Sequence, residues 1–195
     1  LKDYPNNEQI YLSVARRVSD RKEYDKAIEI YEELKSSSGQ SNLISSELGE
    51  TYMQAGHYEL AIREFLGLVQ QNPERLAYVQ RRLMRFRDDY IYDVAILEIS
   101  DFLDKLSPSH PSYNNLQQLE IWLLMERNLY KRAVATAKNF EQQSSTLSYS
   151  LYNIGSKLLA EQKFELAEEA YFYYIDNNVA SLANRSREEL ANVYI

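Results

Sequence analysis

The residues able to do chemistry in this 195-residue chain are few, and their spacing limits what they can do. His57 and His110 are the two histidines, and they do not stand at metal-ligand spacing. Each falls in a segment that reads as an inter-helix turn or linker. The simple expectation is an exposed turn residue; a His–carboxylate dyad assembled by the fold is the alternative. Cysteine is absent, which removes disulfides, thiolate metal ligands and cysteine nucleophiles. There is no glycine-rich phosphate loop and no nucleophile elbow. The carboxylate pairs Glu32/Glu33, Asp88/Asp89 and Glu168/Glu169 are adjacent in sequence. On a helix, neighbours point about 100° apart, so these pairs are expected to be solvated faces and not acid–base couples. The expectation is therefore no catalytic residue, no metal site, no cofactor and no small-molecule substrate: the chain reads as a non-enzyme.

The densest charged cluster is basic: Arg81, Arg82, Arg85 and Arg87. On a helix, Arg81 and Arg85 share a face and Arg87 points elsewhere. Three chemistries are open to this cluster. It could be a solvated face paired with acids of a neighbouring helix, an anchor for an acidic peptide or C-terminal carboxylate, or a phosphate-binding patch.

Such residues need elements to carry them. The chain is 45% hydrophobic and 26% charged, as expected of a folded, non-membrane protein, and no apolar run approaches the roughly 18–20 residues that span a bilayer. The net charge of −7 disfavours nucleic acid and anionic lipid as partners. A soluble compartment follows, with cytoplasm and bacterial periplasm both open. Along the chain, an aromatic residue stands three places before an alanine at Tyr24/Ala27, Tyr58/Ala61, Tyr92/Ala95, Tyr130/Ala133 and Phe164/Ala167. The aromatic positions step by 34, 34, 38 and 34 residues. A period near 34 is that of stacked helix–turn–helix units. Around each pair the apolar spacing is helical, as in Tyr24, Ala27, Ile28, Tyr31 and Leu34. A second stripe lies upstream, in Val14-Ala15-x-x-Val18, Leu48-Gly49-x-x-Tyr52, Leu83-x-x-Phe86 and Ile154-Gly155-x-x-Leu158. The small residue in these stripes lets paired helices approach closely. Gly56 stands where a helix should end.

These residues resemble the tetratricopeptide repeat (TPR) family, most fully in Leu48, Gly49, Tyr52, Gly56, Tyr58, Ala61, Phe65, Leu68 and Pro73. The resemblance implies an all-α, right-handed superhelical solenoid of about five TPR-like repeats plus a C-terminal helix. The units run over about 8–41, 42–75, 76–113, 114–147 and 148–181, with 182–195 as a capping helix or the start of a further unit. Two departures stand out: Arg82 and Glu120 take the large apolar place in the third and fourth units. The four extra residues of the long step fall near Leu106-Ser107-Pro108-Ser109-His110-Pro111, where an irregular step is expected. Asp3-Tyr4-Pro5-Asn6-Asn7 reads as the closing linker of a preceding unit, and Leu190-Ala191-x-x-Tyr194 as the first helix of a following one. Leu1-Lys2-Asp3-Tyr4-Pro5 reads as neither a signal nor a transit peptide, and the missing initiator Met leaves a removed targeting segment open.

In the TPR family the first helix of each unit lines a concave groove. Carried over place by place, the groove-facing residues are Leu12, Arg16 and Ser19; Ser46, Glu50 and Met53; Gln80, Met84 and Arg87; Gln118, Trp122 and Met125; and Tyr149, Tyr152 and Ser156. The partner-binding set is Arg16, Glu50, Met53, Met84, Arg87, Gln118, Trp122, Met125, Tyr149 and Tyr152. Trp122, Met125, Tyr149 and Tyr152 would anchor apolar groups while Arg16 and Arg87 orient the partner by charge. The alternative for Trp122 is a core place between units. The carboxylate clamp for chaperone C-termini is missing, since Leu12 and Arg16 stand where a Lys and an Asn are needed. The resemblance thus implies a scaffold for a protein or peptide partner. The alternatives are an assembly module working through its convex face and ends, for example in a bacterial cell-envelope complex, and an accessory domain of a longer protein.

Overall fold

The computed structural model describes residues 8–38, 42–143 and 149–193. The expected linker at Asp3–Asn7 and the end of the C-terminal motif at Tyr194 lie outside the described residues. Eleven α-helices stand among those described, with no strand. They are α1 (Glu8–Asp20), α2 (Tyr24–Ser38), α3 (Asn42–Ala55), α4 (Tyr58–Gln71), α5 (Leu76–Phe86), α6 (Asp89–Lys105), α7 (Tyr113–Glu126), α8 (Tyr130–Gln143), α9 (Ser150–Ala160), α10 (Phe164–Asp176) and α11 (Ala180–Val193). The chain forms two compact units, the first ending at Leu116 and the second beginning at Gln117. The boundary falls inside α7.

The aromatic beat marks the first residue of the second helix in four hairpins: Tyr24, Tyr58, Tyr130 and Phe164. These rings lie at the rim, and Phe164 is 46% exposed. The alanines three places on, Ala27, Ala61, Ala95, Ala133 and Ala167, are all fully buried. The beat therefore records closest helix approach at the alanine. The same logic governs the first helices. A methyl group on Gly49 would stand 2.7 Å from the Phe65 ring, and one on Gly155 would stand 3.1 Å from the Tyr171 ring. Phe65 and Tyr171 are themselves buried, so each glycine is a seat for a core ring from the second helix of its own hairpin.

One turn closes hairpin after hairpin. After α3, Gly56 takes φ +83°, its N–H reaches Met53 O at 3.3 Å, and His57 N–H reaches Tyr52 O at 2.9 Å. This double bond is the left-handed helix stop that satisfies the last carbonyls. Lys22, Asn128, Gln162 and Asn178 occupy the same place with φ of 64°, 56°, 59° and 50°. Each is followed by the matching pair of backbone bonds, such as Lys163 N–H to Leu158 O at 2.8 Å. Only one of the five is glycine, so the turn is imposed by packing on either side.

The third hairpin breaks the pattern. α5 ends early at Phe86, Arg87 turns left-handed (φ 42°), and Asp88 caps α6 with its carboxylate accepting from Tyr90 N–H (2.8 Å) and Ile91 N–H (3.2 Å). α6 consequently starts three residues ahead of Tyr92. Phe86, expected in the buried stripe of α5, is instead 42% exposed, because the shortened helix leaves it at the end.

The proline-containing linker follows α6, as the spacing anticipates. It is well tied. Ser112 is fully buried, and its hydroxyl donates to Val69 O (2.8 Å) and Gln70 O (2.9 Å), the orphan carbonyls at the end of α4. Asn115 Nδ2 donates to Pro73 O at 3.1 Å. His110 Nδ1 accepts from Ser112 N–H at 3.2 Å, so this histidine orients the anchor and is half-buried, a correction to its expected exposure.

Candidate functional site

Two solvent-facing concavities are built by first helices of hairpins, one in each unit. In the second unit α7 and α9 present Gln118, Ile121, Trp122, Met125, Ser150, Asn153, Ile154 and Lys157 around an open cavity of about 390 Å³. Trp122 is half-buried, while Met125 and Ile154 are each 5% exposed and form the floor. Lys157 Nζ lies 3.5 Å from Glu126, which leaves a paired cation at the rim. An apolar floor with amides and one ion pair at the edge can take an apolar side chain and hold the adjoining backbone by hydrogen bonds.

In the first unit, α5 carries Tyr78, Arg81, Arg82, Met84 and Arg85 around a second open cavity of about 530 Å³. Arg82 Nε lies 2.6 Å from Glu50, and its guanidinium stands 5.0 Å over the Tyr78 ring. Tyr78 in turn donates to Glu50 at 2.8 Å and shares a short hydrogen bond with Ser46. Arg82 thus fills an apolar place by making the helix contact electrostatic. Glu120, the other departure, is buried and engaged in the structure.

The expected groove residues divide by burial. Gln118, Trp122 and Met125 come together at the α7–α9 cavity. Met84 is 45% exposed at the α5 cavity, and Glu50 is held by Arg82 and Tyr78. Met53, 3% exposed, lies at the bottom of a smaller cavity of about 170 Å³ shared with Glu50, Gln54, Arg82 and Arg85, whereas Tyr152, 8% exposed, is a core residue, which corrects its expected place on an open surface. Tyr152 packs edge-on against Tyr171 and Tyr174, with ring centroids 5.4 and 6.3 Å away, and Arg185 of α11 covers its ring. Tyr149 is 42% exposed but precedes α9 in a left-handed turn (φ 58°), so it is not on the helix face assigned to it. Arg87 is likewise off its helix, at the left-handed end of α5. Arg16 Nη2 is paired with Glu47 at 2.8 Å and is not a free orienting charge.

The acidic pairs lie on the surface as expected, with Glu32, Glu33, Asp88, Asp89 and Glu169 exposed, and three of these carboxylates also accept hydrogen bonds. Glu32 accepts a short hydrogen bond from Tyr52, Glu33 accepts from Tyr11 at 3.3 Å, and Asp88 is a helix cap. The hydroxyls of Tyr31, Tyr78, Tyr130, Tyr152 and Tyr174 donate to glutamates in the same way, so the 17 tyrosines are not simply apolar bulk. Tyr174, fully buried, donates to Glu141 at 2.9 Å and accepts from Tyr152 N–H at 3.1 Å. Burial and the Glu141 carboxylate push its phenol well above the usual range, and burial with Glu47 does the same for Tyr31. The Tyr11 link joins the two helices of the first hairpin, and the others tie neighbouring hairpins together. The remaining histidine, His57, has Nε2 3.9 Å from Asp25, whose side chain is 91% exposed, so water competes freely for both partners. No group of three or more His, Asp or Glu able to hold a metal ion occurs among the described residues, and no described helix is long and apolar enough to cross a membrane.

Comparison with curated proteins finds no match. Among solved structures, the crystal structure of a thermophilic TPR protein from Thermus thermophilus aligns over 95% of this chain and 100% of that one, with 14% identity and a TM-score of 0.34. A likeness that distant bears no weight on function. The family profile of soluble NSF attachment protein, SNAP, matches residues 4–125, well over half of the sequence. This match and the repeated helical hairpins agree, and the chain belongs to the soluble NSF attachment protein family, with TPR-like architecture.

Proposed function

We propose that this chain is a non-enzymatic scaffold that holds a peptide or partner segment against the first helices of its hairpins, with the Trp122 cavity as the apolar anchor. TPR-like folds of this kind generally mediate protein–protein interaction. The observation that carries the reading is Trp122 itself: a half-buried indole above a floor of Met125 and Ile154, open to solvent and edged by Gln118, Asn153 and Lys157. Large aromatic side chains in such settings dominate interface energies, typically by about 2 kcal/mol or more. Trp122→Ala should therefore reduce partner capture about 30-fold while helix content by circular dichroism stays intact. Since Trp122 is the sole tryptophan, its fluorescence reports occupancy of the cavity directly. Equal capture of the same proteins by Trp122→Ala and wild type, or partner binding without any change in indole emission, would refute the assignment.

The second reading, an assembly module working through second helices, is favoured by one observation. Tyr90 (60% exposed) and Leu97 (68%) stand two turns apart on α6, and Phe172 on α10 is 43% exposed. Loss of a stable complex on Leu97→Lys, with the Trp122 variant silent, would support it.

A further inference from the structure

α5 buries only Val79 and Leu83, so most of this eleven-residue helix faces outward. Arg81 and Arg85 lie one turn apart on it, both exposed, with no hydrogen-bond or ion-pair partner among the described residues. The contrast within the first unit is informative. Arg16, Lys35 and Arg63 each reach a carboxylate of the following hairpin, Glu47 (2.8 Å), Glu64 (2.5 Å) and Glu98 (2.6 Å). Arg82 does the same toward the preceding hairpin, with Glu50. Arg81 and Arg85 are left over, beside the 45% exposed Met84, at the cavity floored by Tyr78 and the pinned Arg82.

From this arrangement we propose that the α5 face binds a short acidic peptide segment carrying an apolar side chain. Carboxylates of the segment pair with Arg81 and Arg85, and its apolar side chain rests on Met84 and the Tyr78 ring. Guanidinium forks suit carboxylates, and two of them one turn apart read two acidic residues. The length of the patch sets the ligand size. Eleven helical residues span about 16 Å, and an extended peptide covers that in about five residues.

Charge along the chain separates this ligand from a nucleic acid. The basic stretch is bounded by Glu74 before α5 and by Asp88 and Asp89 after it, in a molecule of net charge −7. With a screening length of about 8 Å, a five-residue ligand feels the arginines, whereas a phosphate backbone running past both ends meets the acids. The proposal rests on the scaffold reading only in taking a protein segment as ligand; its site is separate from the Trp122 cavity.

The probe is a fluorescein-labelled hexapeptide of four aspartates and two leucines, titrated with the full chain and read by anisotropy. Binding is expected to weaken about tenfold between about 0.05 and 0.5 M salt and at least about 30-fold in Arg81→Glu/Arg85→Glu. Both side chains are exposed, so helix content should hold; Arg81→Gln/Arg85→Gln gives the same readout should charge reversal perturb the fold. Trp122→Ala should bind the hexapeptide as wild type does. No binding, equal binding by the double variants, loss of binding in Trp122→Ala, or tighter binding of a ten-nucleotide single-stranded DNA would each overturn the assignment. Failure of the Trp122 capture experiment with the hexapeptide behaving as stated would leave this site standing alone.

Discussion

Three helical glycines test whether close helix approach governs this fold, because a methyl group at each would meet a different neighbourhood. At Gly67, in α4, nothing lies within 4 Å of the added carbon. Gly67→Ala therefore gains only helix propensity and should stabilise by about 0.5–1 kcal/mol. At Gly155 the carbon would stand 3.1 Å from two atoms of the Tyr171 ring and 3.4 Å from Ala170 Cβ. A shift of a few tenths of an ångström relieves that, and the strain offsets the propensity gain, leaving a change within about 0.5 kcal/mol of zero. At Gly49 the carbon would stand 2.7 and 3.0 Å from Phe65, a ring only 1% exposed with no room to turn aside. Overpacking there costs about 1–3 kcal/mol and outweighs the helix gain, so Gly49→Ala should destabilise by about 1–2 kcal/mol. Gly49 and Gly67 belong to the two helices of one hairpin, so their comparison survives piecewise unfolding of an array. Urea denaturation followed by far-ultraviolet circular dichroism should separate these two variants by about 2 kcal/mol, or several degrees in Tm. If Gly49→Ala matches or exceeds Gly67→Ala in stability, the Phe65 ring is not held against the backbone of α3 and the packing argument fails.

Two further outcomes follow from the same structure. Burial, then the neighbouring carboxylates, hold Tyr31, Tyr52 and Tyr174 protonated well above the ordinary phenol value, so at high pH the folded chain binds more protons than the unfolded one. Stability should thus be flat below about pH 10 and fall as pH rises beyond it in urea titrations at a series of pH values; a Tyr174→Phe chain should show a shallower alkaline loss, and an unchanged slope would count against the Glu141 link. At Lys22 and Gln162, whose left-handed backbone costs a side chain about 1–2 kcal/mol, replacement by glycine should stabilise by about 0.5–1 kcal/mol in thermal melts, whereas Asn128→Gly should gain less because asparagine tolerates that region.

The glutamate links and the α5 arginines show why the site was only partly legible in sequence. Gln118, Trp122 and Met125 could be grouped from helical spacing, because residues three and four apart share a face whatever the helix packs against. Ser150, Asn153 and Lys157, which complete the cavity from the next hairpin, could not be chosen, since their approach depends on how two helices cross. Tyr152 illustrates the same gap from the other side: its spacing matches the groove, but the Tyr171 and Tyr174 rings and Arg185 cover it.

By itself the sequence determined that the chain folds as paired helices, and it marked the first residue of the second helix in four hairpins but not in the third. The aromatic–alanine beat is a local periodic property: an alanine recurring at steps of 34 residues, once 38, admits a neighbouring backbone, and an amphipathic stripe can be buried only against the next helix. It also located the irregular step, through two prolines that cannot continue α6. The tertiary structure alone decided which charges are spoken for. Arg81 and Arg82 look alike in sequence, yet Arg82 is held by Glu50 while Arg81 stands free among the described residues; Glu32 and Glu33, equally alike, are held by different rings, Tyr52 and Tyr11. Ion pairing and burial depend on distances between residues some thirty positions apart, which a repeat period implies only on average. The left-handed turns at Lys22 and Gln162 make the same point, since packing on both sides of a hairpin overrides what either residue prefers alone.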